Sequence, residues 1–387
     1  MRILVLSFYY PPDIGPGPLR AKSLVEALKR QDENVFIDVM TTMPNRYHSM
    51  NIDAQKFEKD NKVAIHRFEL PEHQSGMRDQ AYAFTRYFFN VLKKIKNQEY
   101  DVVVATSSRL FTAVLGAFIA KRKNAKLFLD IRDLFADAMN DVLEESPAKI
   151  LLPILRFLER WTFRSANKIN VVSGGFLPYL KKLQLKCNVT VYTNGIDQSF
   201  VSSDFKKDYI NNKRVLLYAG NIGQCQGLDV ILPIAAKTLN KNYSFTIVGD
   251  GGRRKELEKS ISSNKIKNVE LFNPVPRAKL MSLYKKADIL FLHLNDFNAV
   301  KKVIPSKIFE YAATGKPVLA GVSGFAADFL CKKVPGAFVF EPNNVEQMEK
   351  ALEKLMVGPG YYDRADFIDE FMRDKIISKM ANEIFSL

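Results

Sequence analysis

The sequence predicts an α/β protein of two consecutive domains, each a parallel sheet covered by helices on both faces. Three observations carry that prediction: a length of 387 residues, short β-branched apolar runs alternating with helical stretches, and a restart of that alternation halfway along. A chain this long exceeds what one ordinary core serves. Alternating strands and helices mark parallel sheets, because parallel neighbours need a crossover connection.

In the first half, strands are expected at 3–8, 35–41, 63–68, 102–105, 126–131, 169–172 and 189–193, with helices such as 19–30 and 111–122 between them. The pattern resumes with strands at 215–219, 244–248, 269–272, 289–292, 318–320 and 337–340. The polar stretch QSFVSSDFKKDYINNK (198–213) has the composition of a linker, and the tail 363–387 reads as helix. The expected division is 1–200, 201–365 and a helix at 366–387 that crosses back to the first domain. Open parallel sheets bind ligands outside the carboxyl ends of their strands. Two doubly wound, Rossmann-like domains facing across a cleft would therefore carry their chemistry in loops that follow strands.

Hydrophobic residues at 47% and charged residues at 26% fit a globular chain and exclude a disordered one. Cys187, Cys225 and Cys331 lack metal-binding spacing and fit free thiols in a reducing compartment. The opening MRILVLSFYY has no small-residue cleavage site after its short apolar run and reads as a buried strand. No run approaches the roughly 18–20 apolar residues that span a bilayer, so a soluble or peripheral protein is expected. The net charge of +15 asks for anionic partners. Nucleic acid is not expected, since its motifs are missing and the lysines are spread. Acidic small molecules and an anionic membrane surface remain.

Three strand-to-helix loops are glycine-bearing: YYPPDIGPGP (9–18), YAGNIGQCQGLD (218–229) and IVGDGGRR (247–254). Glycines let backbone approach a ligand closely, and a helix start offers unpaired N–H groups to an anion. A fourth stretch, VIPSKIFEYAATGKPVLA (303–320), places Pro305 in a first helical turn and Gly315 just past the helix end. Ile308, Phe309, Ala312 and Ala313 share its apolar face; Ser306, Lys307, Glu310 and Thr314 share the other. A carboxylate there can accept two hydroxyls of a ribose diol, or simply pair with Lys307.

With LDIRDLF (129–135) and VYTNGID (191–197), these motifs resemble, in order and spacing, a retaining glycosyltransferase of family 4. The similarity covers nearly the whole chain and extends to enzymes of bacterial surface-polysaccharide assembly. It implies the GT-B fold and a second domain that binds a nucleotide-sugar, with no cofactor. Glu310 matches the second acid of the E-x7-E motif, which implies a ribose contact. Ser306 and Lys307 are implied at the diphosphate, and Gly15 and Gly17 in the loop approaching it. Gly249, Asp250 and Arg253 match a loop near the nucleotide, and Arg277 falls in the base-proximal segment. Three departures stand out. The first acid of the motif is replaced by Lys302, the usual diphosphate cations by Asn221 and Gln226, and the histidine after LDIRD is missing. None of His48, His66, His73 or His293 takes that place.

The resemblance implies a mechanism in which the leaving diphosphate accepts the acceptor proton. Lys307, Arg253 and the helix of Glu310 would stabilise developing charge, while Asp133 would orient or deprotonate the acceptor. No DxD motif stands at a strand end, so no essential metal is expected. The implied reaction moves an N-acetylhexosamine-type sugar from a UDP-sugar to a lipid-linked or glycan acceptor. A GDP- or ADP-sugar donor with a soluble acceptor is an alternative, as is a non-catalytic sugar-nucleotide binder. Basic aromatic segments at 78–97 and 148–164 suggest peripheral contact with the inner face of the cytoplasmic membrane.

Overall fold

The computed structural model of the chain describes residues 1–45, 53–70, 77–107, 109–142, 147–206 and 213–387. His48, His73 and residues 207–212 of the expected linker lie outside the described residues. The chain forms two compact units, Met1–Asn194 with Arg373–Leu387, and Gly195–Met372.

The first unit holds the strands β1 (Arg2–Ser7), β2 (Phe36–Thr42), β3 (Phe57–Lys59), β4 (Val63–Phe68), β5 (Val102–Ser107), β6 (Lys126–Ile131), β7 (Lys168–Val171) and β8 (Asn188–Val191). Their order in the sheet is β3-β4-β2-β1-β5-β6-β7-β8. All pairs are parallel except β3 with β4. Ile3, Leu4, Val5 and Leu6 of β1 are wholly buried, as expected for a central strand covered on both faces. The edge strand β3 escaped sequence reading because FEK is three residues long and solvated, so it shows no periodicity.

The second unit holds β9 (Arg214–Ala219), β10 (Tyr243–Val248), β11 (Val269–Phe272), β12 (Ile289–His293), β13 (Val318–Gly321) and β14 (Ala337–Phe340), ordered β11-β10-β9-β12-β13-β14 and parallel throughout. Two details differ from expectation. The described part of the supposed linker is packed: Phe200 and Phe205 are buried, and their rings meet Tyr284 at 5.4 and 6.4 Å. The tail is two helices, Ala365–Glu370 and Arg373–Phe385, because the chain pauses at Phe371, whose carbonyl accepts from Ile196 N (2.7 Å).

The last helix completes the first unit's core. Ile377, Met380, Ala381 and Ile384, spaced as one helical face, are buried in the cluster of Ile3, Val5, Leu24, Leu28 and Phe128. A buried charge cluster lies beside it. Arg20, on the helix Pro16–Gln31, donates to both oxygens of Asp130 in β6 (2.8 and 2.9 Å). It also donates to the carbonyls of Thr193 (2.5 Å) and Tyr192 (2.9 Å). Asn170 and Thr106 complete the carboxylate's shell at 2.7 and 3.1 Å. Burial alone would raise the Asp130 pKa; the Arg20 charge, with the hydrogen bonds of Arg20 and Asn170, holds it below the ordinary carboxylate value. Removing one partner of such a pair leaves the other charged and dry. Asp130→Ala is expected to cost about 3–5 kcal/mol, read as a lower urea midpoint; an unchanged midpoint would show that the pair does not hold this unit.

Candidate active site

In the second unit, two of the three glycine loops touch. β9 ends at Ala219 and turns at Gly220; β10 ends at Val248 and turns at Gly249. A Cβ on Gly249 (φ 152°) would strike the carbonyl oxygen of Gly220, so only glycine allows the loops to meet there. They are then stitched by Ile222 N to Asp250 O and Arg253 N to Ile222 O, both 2.9 Å.

The positions expected to carry diphosphate cations hold each other instead. Asn221 Nδ2 donates to Gln226 Oε1 (2.8 Å), which also accepts from Gly223 N (3.2 Å), so neutral amides clasp the loop shut. The cation at this loop comes from another element. Lys307 Nζ lies 4.7 Å from the centroid of the Tyr218 ring, and a Cβ on Gly220 would collide with its ammonium end. Tyr218 in turn donates its hydroxyl to Asn221 O (2.6 Å). Arg253 is partly exposed and reaches Asp229 at 4.0 Å. Its neighbour Arg254 is structural, donating to the carbonyls of Gly249 and Phe272 and to Glu258.

Lys307 and Glu310 sit on the short helix Lys307–Ala313, with Ser306 as N-cap. Pro305 falls before the cap rather than in the first turn, and its carbonyl accepts from Ile308 N (3.1 Å). Gly315 (φ 72°) stands just past the C-cap Thr314, as the sequence suggested. Thr314 departs from the expected polar face: it is wholly buried, because its hydroxyl is satisfied by Tyr311 O (2.7 Å). Lys302 ends a separate 3-10 turn, Val300–Lys302, and is partly exposed.

Glu310 pairs with a residue the helical spacing did not indicate. Arg277 Nη1 lies 3.6 Å from Oε1, and Tyr284 donates its hydroxyl to Oε2 (3.2 Å). Burial, with the nearby Glu310 charge, pushes the Tyr284 pKa well up, so it remains a proton donor. Arg277 is itself held: it donates to Ser199 Oγ (2.9 Å), reaches Asp197 at 3.5 Å and stacks over Phe200 at 4.7 Å. The Glu310 side chain keeps 20% exposure. A carboxylate offers about four acceptor sites, and the two neighbours face one oxygen each, which leaves acceptor capacity on both.

His293 braces the clasped loop from below. Its Nε2 accepts from Asn343 N (3.1 Å), so its Nδ1 carries the proton and donates to Gln226 O (2.6 Å). Burial lowers its pKa to about 4.

In the first unit, Gly15 (φ 139°) is the N-cap of the helix Pro16–Gln31. A Cβ on Gly17 would strike the guanidinium of Arg132, which places that arginine against the loop. Arg109 donates to Tyr9 Oη (2.5 Å) and Arg67 to Pro11 O (2.8 Å), so further cations line the same loop. Asp133 is exposed, between β6 and the helix Phe135–Val142. Sequence reasoning missed Arg67, Arg109 and Tyr284 and gave no role to Tyr218 or His293; the partners of Arg67, Arg109, Tyr284 and His293 come from distant elements, which only the fold reveals.

Two α/β units of this topology have the GT-B fold, the architecture of solved glycosyltransferases. Residues 19–195 match the family described as Glycosyl transferase 4-like domain, and residues 201–370 that described as Glycosyl transferases group 1. The chain is a glycosyltransferase built of these two domains. It is 24% identical, over 99% of its length and 100% of the relative's, to the putative colanic acid biosynthesis glycosyl transferase WcaI of Escherichia coli. It is 27% identical, over 61% of its length and 60% of the relative's, to the GalNAc-alpha-(1->4)-GalNAc-alpha-(1->3)-diNAcBac-PP-undecaprenol alpha-1,4-N-acetyl-D-galactosaminyltransferase of Campylobacter jejuni. The crystal structure of Anabaena Alr3699/HepE in complex with UDP superposes with a TM-score of 0.67 at 15% identity, covering 100% of both chains.

The His293 brace predicts a pH dependence. Its folded-state value lies below the ordinary 6.5, so its contribution is intact above pH 6.5 and is lost as pH falls towards about 4. Over that window the wild type should lose about 3 kcal/mol more stability than His293→Gln. Equal losses of unfolding free energy for the two proteins, from urea titrations at pH 7, 5.5 and 4, would contradict the brace.

Proposed function

We propose that the protein is a retaining transferase that moves an N-acetylhexosamine-type sugar from a UDP-sugar to a lipid-linked or glycan acceptor. Its setting would be bacterial surface-polysaccharide assembly, at the inner face of the cytoplasmic membrane. One observation carries the reading: a partly exposed carboxylate, Glu310, is oriented by Arg277 and Tyr284 on the same short helix that carries Lys307 to the glycine loops. That is an acceptor for a ribose diol beside a cation for a diphosphate. The E. coli relative's colanic acid, the C. jejuni relative's N-acetylgalactosaminyl and undecaprenol terms, and the UDP of the Anabaena structure support the finer assignments.

In this reading Glu310 takes ribose hydroxyls, and Asp250 and Arg253 flank the nucleotide. As the glycosidic bond breaks, negative charge grows on the departing diphosphate oxygen. Lys307, kept in place by the Tyr218 ring, is already positioned to stabilise it. The acceptor hydroxyl bonds to the sugar carbon on the face the diphosphate leaves, and its proton passes to the departing oxygen. Asp133, exposed on the first unit, is assigned to the acceptor hydroxyl.

The test is release of nucleoside diphosphate from UDP-, GDP- and ADP-sugars by the purified protein with undecaprenyl-diphosphate-linked glycans. UDP-N-acetylhexosamine should be the preferred donor. Lys307→Met should lower kcat about 100-fold, the scale of one transition-state electrostatic contact. Turnover of none of the donors would overturn the reading, and an unchanged kcat would remove Lys307 from it.

A further inference from the structure

We infer that the first unit carries a phosphate subsite for the acceptor, formed by Arg109, Arg132 and the starts of two helices around the loop 9–18. The inference rests on the reading above for there being an acceptor, and it names the acceptor's chemistry: a phosphate ester, not a neutral glycan.

Arg109 is the N-cap of the helix Leu110–Lys123, and Arg132 is the first residue after β6. Ser107, at the end of β5, ties them together: its carbonyl accepts from Arg132 N (2.9 Å), and its hydroxyl donates to Arg109 O. Both guanidinium groups meet the same loop, Arg109 at Tyr9 and Arg132 at Gly17. Arg109 also rests over the rings of Phe8 and Tyr9, 4.5 and 5.2 Å from their centroids. Among the described residues its side chain makes one hydrogen bond, to Tyr9 Oη, out of five possible N–H donors. Stacking fixes the guanidinium in place without using up its donors, which is how an arginine is preorganised for an anion.

The helix starts sharpen the charge. Acids are favoured in a first helical turn, yet neither Pro16–Gln31 nor Leu110–Lys123 has one; an arginine stands at each instead. Two cations beside two positive dipole ends repel one another unless an anion lies among them. Thr112, in the first turn of Leu110–Lys123, points the same way. It is 1% exposed, and its hydroxyl has no hydrogen-bond partner among the described residues. Buried hydroxyls are ordinarily bonded, and helical side chains lean towards the helix start, so this one marks a polar place at the arginines' end.

The neighbouring acids are committed elsewhere. Asp130 is enclosed by Arg20, Asn170 and Thr106. Glu58 pairs with Arg67, which is itself consumed by the carbonyls of Gln55 and Pro11. Asp13 is buried and accepts from Asn45 N (3.2 Å). Of the acids that follow Arg132, Asp133 is assigned above to the acceptor hydroxyl, and Asp137 lies in the first turn of its own helix, Phe135–Val142. A phosphate suits the two remaining arginines, because its several oxygens take donors from both guanidinium groups and from helix N–H groups at once.

The full-length protein is titrated by calorimetry, without donor, with geranyl diphosphate, glucose 6-phosphate, geraniol and glucuronate. At least one phosphate ester should bind about tenfold more tightly than geraniol and glucuronate. Arg109→Met and Arg132→Met should each weaken that binding about tenfold, the worth of one hydrogen bond to a charged group, with circular dichroism unchanged. Arg109→Lys, which keeps the charge, should recover part of the loss. Preference for geranyl diphosphate assigns the phosphate to a carrier linkage, and preference for glucose 6-phosphate assigns it to the glycan. Phosphate binding that is indifferent to Arg109 and Arg132 but lost in Lys307→Met would place the anion in the second unit and overturn the inference. Equal affinity for glucuronate, or no binding of either phosphate ester, would overturn it too. The titration involves no donor and no turnover, so a phosphate subsite without sugar transfer would refute the reaction alone.

Discussion

Within each sheet the strands run in one direction, the three-residue β3 excepted, so their carboxyl ends gather on a single edge. Every loop that leaves that edge must start a crossover, and the helix that follows presents its first turn there. This constraint explains why residues far apart in sequence share one site. Gly220, Gly249 and Arg277 follow β9, β10 and β11, and Lys307 and Glu310 lie in the crossover from β12 to β13. The glycines are the consequence of crowding at the edge, as the contact between Gly249 and Gly220 shows.

Two arginine–carboxylate pairs show how burial separates architecture from chemistry. Asp130 is wholly buried, and Arg20, Asn170 and Thr106 surround both oxygens. Such a pair holds chain segments in register and offers nothing to a ligand. Glu310 meets an arginine and a tyrosine at longer range and remains partly open. The longer, looser contacts orient the carboxylate without consuming it. The same distinction divides Arg254, spent on carbonyls, from Lys307, whose ammonium leans on the aromatic face of Tyr218.

The architecture was legible because β-branched runs and their spacing report local chemistry. Strand ends moved by a residue or two, as where β5 continues through Thr106 and Ser107. β3, the break at Phe371 and the packing of Phe200 and Phe205 were not legible, since each depends on a partner supplied by the fold. The site divided the same way. Glycine loops and Glu310 stood out as residue types needed where they occur. The Asn221–Gln226 clasp, the Arg277–Glu310 pair and the His293 brace join residues with no periodic relation, so nothing in the pattern announces them. Thr314 was misplaced because a hydroxyl satisfied by its own helix behaves as an apolar group.

The central claim is that Glu310 reads the ribose of a bound nucleotide. A ligand–variant cycle tests it most directly: titration calorimetry of UDP and 2′-deoxy-UDP against the wild type and Glu310→Ala. The wild type should prefer UDP by about tenfold, the worth of one hydrogen bond to a charged group, and the variant should bind both equally. A variant that keeps the wild-type preference would show that Glu310 does not meet the ribose.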